Sequence, residues 1–175
     1  MYFDFLMLEQ ILINSGAIKF GEFILTSGKK SKYYVNIKNA TTKPKILKAI
    51  AVELKQHIGE CDKIGGVALG AVPLVVAVAL EIDKPYIIIR KDRKEHGTKS
   101  PIEGDIDSGE TIVLIEDVVT TGGSVINAIN LLREKGANIS RVVTVVDREE
   151  GGLENLTEIG VELIALVKAS DLVTH

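Results

Sequence analysis

The chain has 175 residues, 46% of them hydrophobic and 26% charged, and a formal net charge of −3. This length and composition predict one globular domain with a sizeable core, and the slightly acidic balance gives no reason to expect a nucleic-acid partner. The apolar runs are too short to cross a bilayer, so no membrane partner is expected. The single cysteine, Cys61, excludes an internal disulfide and favours a cytoplasmic location.

Hydrophobic periodicity predicts alternating helices and strands along most of the chain. A helix is expected at about Leu6–Ser15, followed by an irregular or hairpin stretch at Phe20–Lys38. Five strands are expected at Ile64–Ala68, Tyr86–Arg90, Ile112–Glu116, Val142–Asp147 and Val161–Val167. Further helices are expected at about Pro44–Ile58, Val72–Leu80, Ser124–Lys135 and Leu153–Gly160. This alternation is typical of an α/β fold with a parallel sheet, in which ligands bind beyond the carboxyl ends of the strands.

One segment joins a buried-looking strand to a helix through a short polar loop. Two adjacent acids, Glu116 and Asp117, follow the apolar strand. The loop then consists of Val118, Val119, Thr120, Thr121, Gly122, Gly123 and Ser124. Backbone N–H groups and the positive end of the helix dipole meet at such a loop, which predicts a phosphate site. Because carboxylates repel phosphate, the acids indicate a ligand that also carries hydroxyl groups, such as a ribose phosphate; an ordinary surface loop is the alternative.

A basic segment follows the predicted strand Tyr86–Arg90. Five basic residues and one histidine lie between Arg90 and Lys99, and the chain continues to Glu110 with three glycines and no apolar period. Long segments of this kind are usually functional or disordered. In isolation, a solvated basic loop is the simpler interpretation. Beside a phosphate site, the stronger hypothesis is a mobile loop that closes over the ligand and excludes water, with cations that stabilise negative charge.

These motifs together resemble a known family. The strand, acid pair and Thr-x-Gly-x-Ser loop resemble the phosphoribosyl pyrophosphate (PRPP) signature of the type I phosphoribosyltransferases. The run Arg-Lys-x-x-Lys-x-His-Gly at 90–97 resembles the catalytic loop of the orotate phosphoribosyltransferases, and Gly65–Pro73 resembles their pyrophosphate loop. The resemblance implies a type I phosphoribosyltransferase-like parallel sheet flanked by helices. It also implies a single domain at 1–175, with a small N-terminal hood at about 1–40 and a mobile catalytic loop at about 91–109.

The same resemblance implies the reaction and the residues that perform it. Transfer of the phosphoribosyl group of PRPP to orotate would give orotidine 5′-monophosphate and pyrophosphate, in de novo pyrimidine biosynthesis. Catalytic roles fall on Lys94 and Asp117. PRPP binding is implied for Arg90, Lys91, Lys94, His96, Glu116, Asp117 and the loop Val118–Ser124. Orotate binding is implied for Thr120 and Arg148; a surface ion pair of Arg148 with Glu149 or Glu150 is the structural alternative.

The family further implies a cofactor and a partner. Mg²⁺ is expected to reach the site through substrate oxygens rather than through a cluster of protein ligands. A homodimer is expected in which the catalytic loop serves the neighbouring subunit's site. Lys19 and the Tyr33–Tyr34 pair are expected near the ligands. Two departures from the family pattern are Leu69, where a lysine is usual, and Lys38-Asn39, where the hood usually has an arginine.

Other nucleotide-binding classes fit the sequence less well. Gly65–Gly70 has the glycine spacing of an NTPase loop, but Ala71-Val72 replaces the required Lys-Ser/Thr. A Gly-x-Gly-x-x-Gly motif after a strand is missing, which argues against a dinucleotide-dependent oxidoreductase. Two alternatives remain: a phosphoribosyltransferase for another base, and a PRPP-sensing regulator without turnover. The presence of Lys94 and the slightly acidic charge disfavour the regulator.

Overall fold

A computed structural model describes residues 5–24, 28, 30–91 and 100–172. Within these ranges the strands are β1 Ile18–Ile24, β2 Lys30–Val35, β3 Lys63–Val67, β4 Tyr86–Ile89, β5 Ile102–Glu103, β6 Ile112–Val119, β7 Arg141–Asp147 and β8 Glu162–Lys168. The helices are α1 Phe5–Asn14, α2 Lys38–Thr41, α3 Pro44–Lys55, α4 Val72–Ile82, α5 Gly123–Glu134, α6 Gly152–Glu158 and α7 Ala169–Leu172. None of these helices is long and apolar enough to cross a bilayer.

The main sheet has the strand order β5-β4-β3-β6-β7-β8. Five of its strands run parallel, and β5 pairs antiparallel with β4 at one edge. Helices α3 and α4 lie over one face of the sheet and α5 over the other. Alternate side chains of β6 accordingly belong to two different hydrophobic clusters. Val113 and Ile115 pack with the first pair of helices, whereas Ile112 and Leu114 pack with α5. The predicted α/β fold with a parallel sheet flanked by helices is confirmed.

A separate two-stranded hairpin, called the hood below, lies within the N-terminal segment 1–40 for which the sequence predicts a hood. Strands β1 and β2 pair antiparallel, with a shift in register between Phe20 and Phe23. The hood is tied to the segments on either side of it: the Asn36 N–H donates to the carbonyl of Ala17 at 2.7 Å, and the Asn39 amide to that of Gly16 at 3.1 Å. The stretch that the sequence left as irregular or hairpin therefore forms a hairpin.

Several boundaries differ from the sequence prediction. Strand β6 continues past the acid pair to Val119, because Val118 and Val119 pair with the end of β7. The acids therefore lie inside the strand rather than after it. Strand β5, within the segment expected as a catalytic loop, and the four-residue helices α2 and α7 were not predicted, since elements this short show no hydrophobic period.

Candidate active site

The phosphate loop, Thr120–Ser124, connects the end of β6 to the start of α5. Gly122 precedes the helix with a φ of +78°, a left-handed conformation that glycine adopts without strain. Among the described residues no side chain caps this helix, so the N–H groups of its first turn are free to bind an anion. A cavity of about 240 Å³ lies here, lined by Glu116 and Val118–Val125. The loop therefore has the geometry predicted for a phosphate site.

The segment after β7 braces this loop from the side. The Asn155 side-chain amide donates a hydrogen bond to the carbonyl of Thr121 at 2.9 Å. Gly152 lies so close that a methyl group on its Cα would fall 2.6 Å from the carbonyl oxygen of Thr120. The sequence analysis missed both bracing residues, because their contacts form only when α6 folds back over the loop. The adjacent glycines Gly151-Gly152 were the only local signal for this close approach.

The acid pair at the base of the loop lies in a setting that changes the pKa of Glu116. Glu116 is buried, with 7% of its surface exposed. Burial raises the pKa of Glu116 well above its ordinary value, and a side-chain hydrogen bond with Asp117 and the charge of that residue raise it further. The Glu116 Oε1 accepts a hydrogen bond from the Asp117 N–H at 3.1 Å. Burial therefore favours the protonated form of Glu116.

Two other segments converge on Asp117. The ammonium of Lys38, from α2 beside the hood, lies 3.8 Å from Asp117 Oδ2. On another side, the Asp117 carboxylate occupies the space that any side chain at Gly70 would need. Leu69, next to this glycine, is 73% exposed. The acid pair is therefore balanced by a cation that the sequence analysis had noted only as a departure from the family pattern.

Arg148 directly follows β7, at the carboxyl ends of the strands, where the phosphate loop also lies. Its side chain is only 10% exposed, and its guanidinium lies 5.1 Å from the centre of the Tyr33 ring. Its Nε is 2.9 Å from Glu150 Oε1, so the ion pair that was the structural alternative is present, although it is not at the surface. The Nε–H is not directed at that carboxylate, and it has no hydrogen-bond acceptor among the described residues. A buried donor of this kind favours a ligand that brings an acceptor.

The other residues predicted for the site belong to a second cavity, to the hood or to the part of the chain that is not described. Arg90 and Lys91 line a second cavity of about 340 Å³ beside α5, and Arg90 binds locally, with Nη2 donating to the Ser100 carbonyl at 2.6 Å. Tyr34 packs against Phe23 within the hood, their ring centres 5.6 Å apart, and Lys19 is exposed on β1. Lys94 and His96 lie outside the described residues.

Comparison with known proteins identifies the family of the chain. The family model described as "Phosphoribosyl transferase domain" matches residues 36–161. The chain is 53% identical to the orotate phosphoribosyltransferase of Pyrococcus abyssi, over 94% of this chain and 93% of that relative. It is also 53% identical to the orotate phosphoribosyltransferase of Thermoplasma acidophilum, over 94% of this chain and 95% of that relative. The crystal structure of the orotate phosphoribosyltransferase from Aeropyrum pernix has a TM-score of 0.85 and 32% identity, covering 96% of this chain and 97% of that one.

Proposed function

The chain belongs to the orotate phosphoribosyltransferase family, and we propose that the groups described above at the carboxyl ends of the strands, here called the rim, perform the family's reaction. The reaction itself transfers the phosphoribosyl group of PRPP to orotate in pyrimidine biosynthesis. The observation that carries the proposal is the buried guanidinium of Arg148, with an unsatisfied donor, on the same rim as the phosphate loop. Orotidine 5′-monophosphate has an anionic group at each end, which this pair of sites suits.

In the proposed arrangement the phosphate loop binds the 5′-phosphate through backbone N–H groups. Glu116 and Asp117 contact the ribose hydroxyls. The bond at the anomeric carbon breaks as positive charge grows on the ribosyl ring, and the Asp117 carboxylate stabilises that charge. The raised pKa of Glu116 favours its neutral form, which weakens the repulsion between the acid pair and PRPP. Positioning and charge stabilisation then account for catalysis without a covalent intermediate.

The nucleobase site is proposed to lie against Arg148 and Thr120. A guanidinium can bind a planar carboxylate through two parallel hydrogen bonds, so Arg148 selects an anionic pyrimidine. The test is an assay with PRPP, Mg²⁺ and one base at a time, following the absorbance of orotate. Orotate is expected to be consumed, while adenine, hypoxanthine and uracil remain. Turnover of another base with orotate inert would instead favour a phosphoribosyltransferase for that base, and no turnover at all would favour a PRPP-sensing regulator.

Mg²⁺ is proposed as the cofactor. Within residues 5–24, 28, 30–91 and 100–172, no group of three or more His, Cys, Asp or Glu could hold a metal ion. The acid pair alone cannot enclose a metal ion, so the donor set fits an ion carried mainly by PRPP oxygens and water. Bound in this way, Mg²⁺ would neutralise the pyrophosphate as it leaves. Removal of Mg²⁺ with a chelator is expected to abolish turnover, and added Mg²⁺ to restore it.

A homodimer is proposed as the working assembly, and the surface of α4 supports it. Pro73, Val76 and Leu80 follow one another at spacings of three and four residues, which places them on one side of this helix, and Leu69 lies in the turn just before it. Leu69 and Leu80 are 73% and 81% exposed, and the sequence of α4 is apolar on nearly every side. An exposed apolar stripe of this kind is typical of a subunit contact. A second copy of the chain would bury it.

The catalytic loop is proposed to serve the partner's site, with Lys94 as its main cation. Lys94→Ala and Asp117→Asn are each expected to be nearly inactive alone. When the two are denatured and refolded together, a loop acting in trans leaves each mixed dimer with one intact site. Since random mixing makes about half of the dimers mixed, roughly a quarter of wild-type activity should return. No recovery in a sample shown to contain mixed dimers would mean that Lys94 serves its own chain.

The single-domain boundaries and the cytoplasmic location remain predictions from the sequence. The single cysteine supports the second of them, because a lone thiol is typical of a reducing compartment. Cys61 is buried, and burial raises the pKa of its thiol, which favours the unreactive protonated form.

A further inference from the structure

Glu149, the residue directly after Arg148, has a strained backbone. Its φ of +53° lies in the left-handed region, which a glutamate side chain rarely adopts. Conformations of this kind persist only where surrounding contacts hold them, and they concentrate at functional sites. The Glu149 N–H donates to Asp147 Oδ1 at 2.9 Å, which fixes the backbone on the strand side. The position therefore invites the question of what holds it and for what purpose.

The holding contact comes from the C-terminal helix α7. The Glu149 carboxylate accepts a hydrogen bond from the Ser170 N–H at 2.6 Å and another from the Ser170 hydroxyl at 3.2 Å. Hydrogen bonds to an ionised acceptor are about twice as strong as neutral ones. Helix α7 is itself anchored, because Leu172 is 1% exposed and belongs to the main core cluster. Ser170 is thus a fixed point to which the exposed Glu149 side chain is tied.

This pair of contacts, the Glu149–Ser170 clamp, completes the fixation of Arg148. On the other side of Arg148, its own N–H donates to the carbonyl of Val119 at the end of β6, at 2.9 Å. The arginine backbone is therefore held from both directions, one toward the phosphate loop and one toward α7. A small rotation of the Arg148 backbone would turn the guanidinium away from its present direction. Because the side chain is nearly buried, it has little room to compensate.

We propose that Glu149 is a positioning residue for orotate binding: through Ser170 it sets the direction in which the Arg148 guanidinium enters the nucleobase site. The inference rests on the proposed role of Arg148 as the orotate contact. A bidentate pair with a planar carboxylate requires the guanidinium to lie in one plane and at one distance. Misplacement by about 1 Å is enough to weaken such an arrangement strongly. The clamp thus connects a surface carboxylate and the C-terminal helix to recognition of the base.

The variant Glu149→Asn separates the clamp from the backbone strain. Asparagine tolerates left-handed backbone better than most residues, but its side chain is one methylene shorter and cannot reach Ser170 in the same way. We expect Glu149→Asn to raise the KM for orotate roughly tenfold, while the KM for PRPP stays within about twofold. Ser170→Ala removes only the hydroxyl donor and is expected to raise the KM for orotate roughly threefold. The matched control is Glu158→Asn, at the exposed end of α6, which should change neither constant.

A double-mutant cycle distinguishes positioning from a general structural role. If the clamp acts through Arg148, then Glu149→Asn adds nothing to the KM for orotate once Arg148→Met is present. An unchanged KM for orotate in both Glu149→Asn and Ser170→Ala would overturn the proposal. An equal rise in the KM for both substrates would also overturn it. The same holds for an effect of Glu149→Asn on the KM for orotate that persists in the Arg148→Met background. If Arg148→Met itself leaves the KM for orotate unchanged, the proposed nucleobase site fails first, and that result is distinct from failure of the clamp alone.

Discussion

The two ends of the candidate site offer an anion different kinds of donor. The phosphate loop offers backbone N–H groups at a helix start, and burial raises the pKa of its nearest acid, Glu116. The turn after β7 instead offers one buried side chain, Arg148, with Glu150 and the Tyr33 ring beside it. Recognition through backbone N–H groups depends on the path of the main chain and not on a side-chain functional group. Recognition by a guanidinium depends on that group and on what orients it.

This difference predicts which changes each end tolerates. Removing a side chain should damage the β7 turn, whereas adding a methyl group next to the backbone should damage the phosphate loop. The two ends are also mechanically connected. Arg148 donates its N–H to Val119, and Asn155, seven residues further along, braces Thr121. A substitution in the segment after β7 can therefore affect either substrate, and the affected KM shows which contact was lost.

The largest effect is expected from Arg148→Met, which removes the cation but keeps much of the side-chain volume. Loss of a charge-assisted contact should raise the KM for orotate ten- to a hundredfold, at roughly 1.5–3 kcal/mol. The KM for PRPP should stay within about twofold, because the phosphate loop is unchanged. Steady-state kinetics with each substrate varied in turn measures both constants. Lys45→Met, an exposed cation on α3, is the control, and an equal rise for the two substrates would count against this division of labour.

Gly152→Ala should have the opposite selectivity. The added methyl meets the Thr120 carbonyl and the Val119 side chain, so the phosphate loop must shift. We expect the KM for PRPP to rise roughly tenfold, with a smaller change for orotate. Gly160→Ala is the control for general destabilisation, since its φ of +72° makes a side chain strained while no atom lies within 4 Å of the added methyl. A rise in the KM for PRPP in both variants would show that lost stability, and not the loop, is responsible.

Asn155→Ala removes the brace on Thr121 without adding any atom. One neutral hydrogen bond contributes about 0.5–1.5 kcal/mol, so we expect a two- to tenfold rise in the KM for PRPP. Asn155→Asp should be worse, because it also places a negative charge beside an anion site. Thr157 lies on the same helix, but its hydroxyl donates a hydrogen bond to the carbonyl of Leu153 within that helix. Thr157→Ala should therefore leave the KM for PRPP unchanged. Indistinguishable kinetics for Asn155→Ala and wild type would mean that α6 does not support the loop.

Glu116→Gln should change activity least and reveal itself in the pH dependence of stability. Because burial raises the pKa of Glu116, the folded chain holds this proton where the unfolded chain releases it. The resulting stabilisation is present below the ordinary glutamate pKa and is lost as the pH rises through the raised value. Since glutamine cannot ionise, the variant should have a higher Tm than wild type at about pH 8, and the difference should shrink toward about pH 5. Glu158→Gln serves as the exposed control. A lower Tm for Glu116→Gln at the higher pH would contradict a raised pKa of Glu116 in the folded chain.

The longer elements of the fold could be predicted from the sequence because each shows several hydrophobic periods. The expected helices at Pro44–Ile58 and Ser124–Lys135 differ by only a few residues from α3 and α5. Elements with two to four residues have no period to detect, and their existence depends on pairing partners. Strand β5 forms because β4 offers it an edge, and β6 extends to Val119 because β7 continues beside it. Tertiary pairing, which local pattern does not contain, sets these boundaries.

The candidate site divides in the same way. The acid pair and the phosphate loop are consecutive in sequence, so one motif was enough to place them together. Lys38 and Asn155 reach them only across the fold, the first from α2 and the second from α6. The raised pKa of Glu116 was also hidden, because it results from burial, which the two adjacent acids in the sequence do not reveal. The sequence thus indicates which groups bind, whereas the fold shows what supports them.

A crystal structure with orotidine 5′-monophosphate bound tests the central claim most directly, since the nucleotide carries both anionic groups at once. We expect the phosphate oxygens to accept hydrogen bonds from the backbone N–H groups of the phosphate loop. The orotate carboxylate should accept from the Arg148 guanidinium, with the Glu149–Ser170 contacts intact. A phosphate bound in the cavity beside Arg90 and Lys91, or a base that faces away from Arg148, would contradict the account.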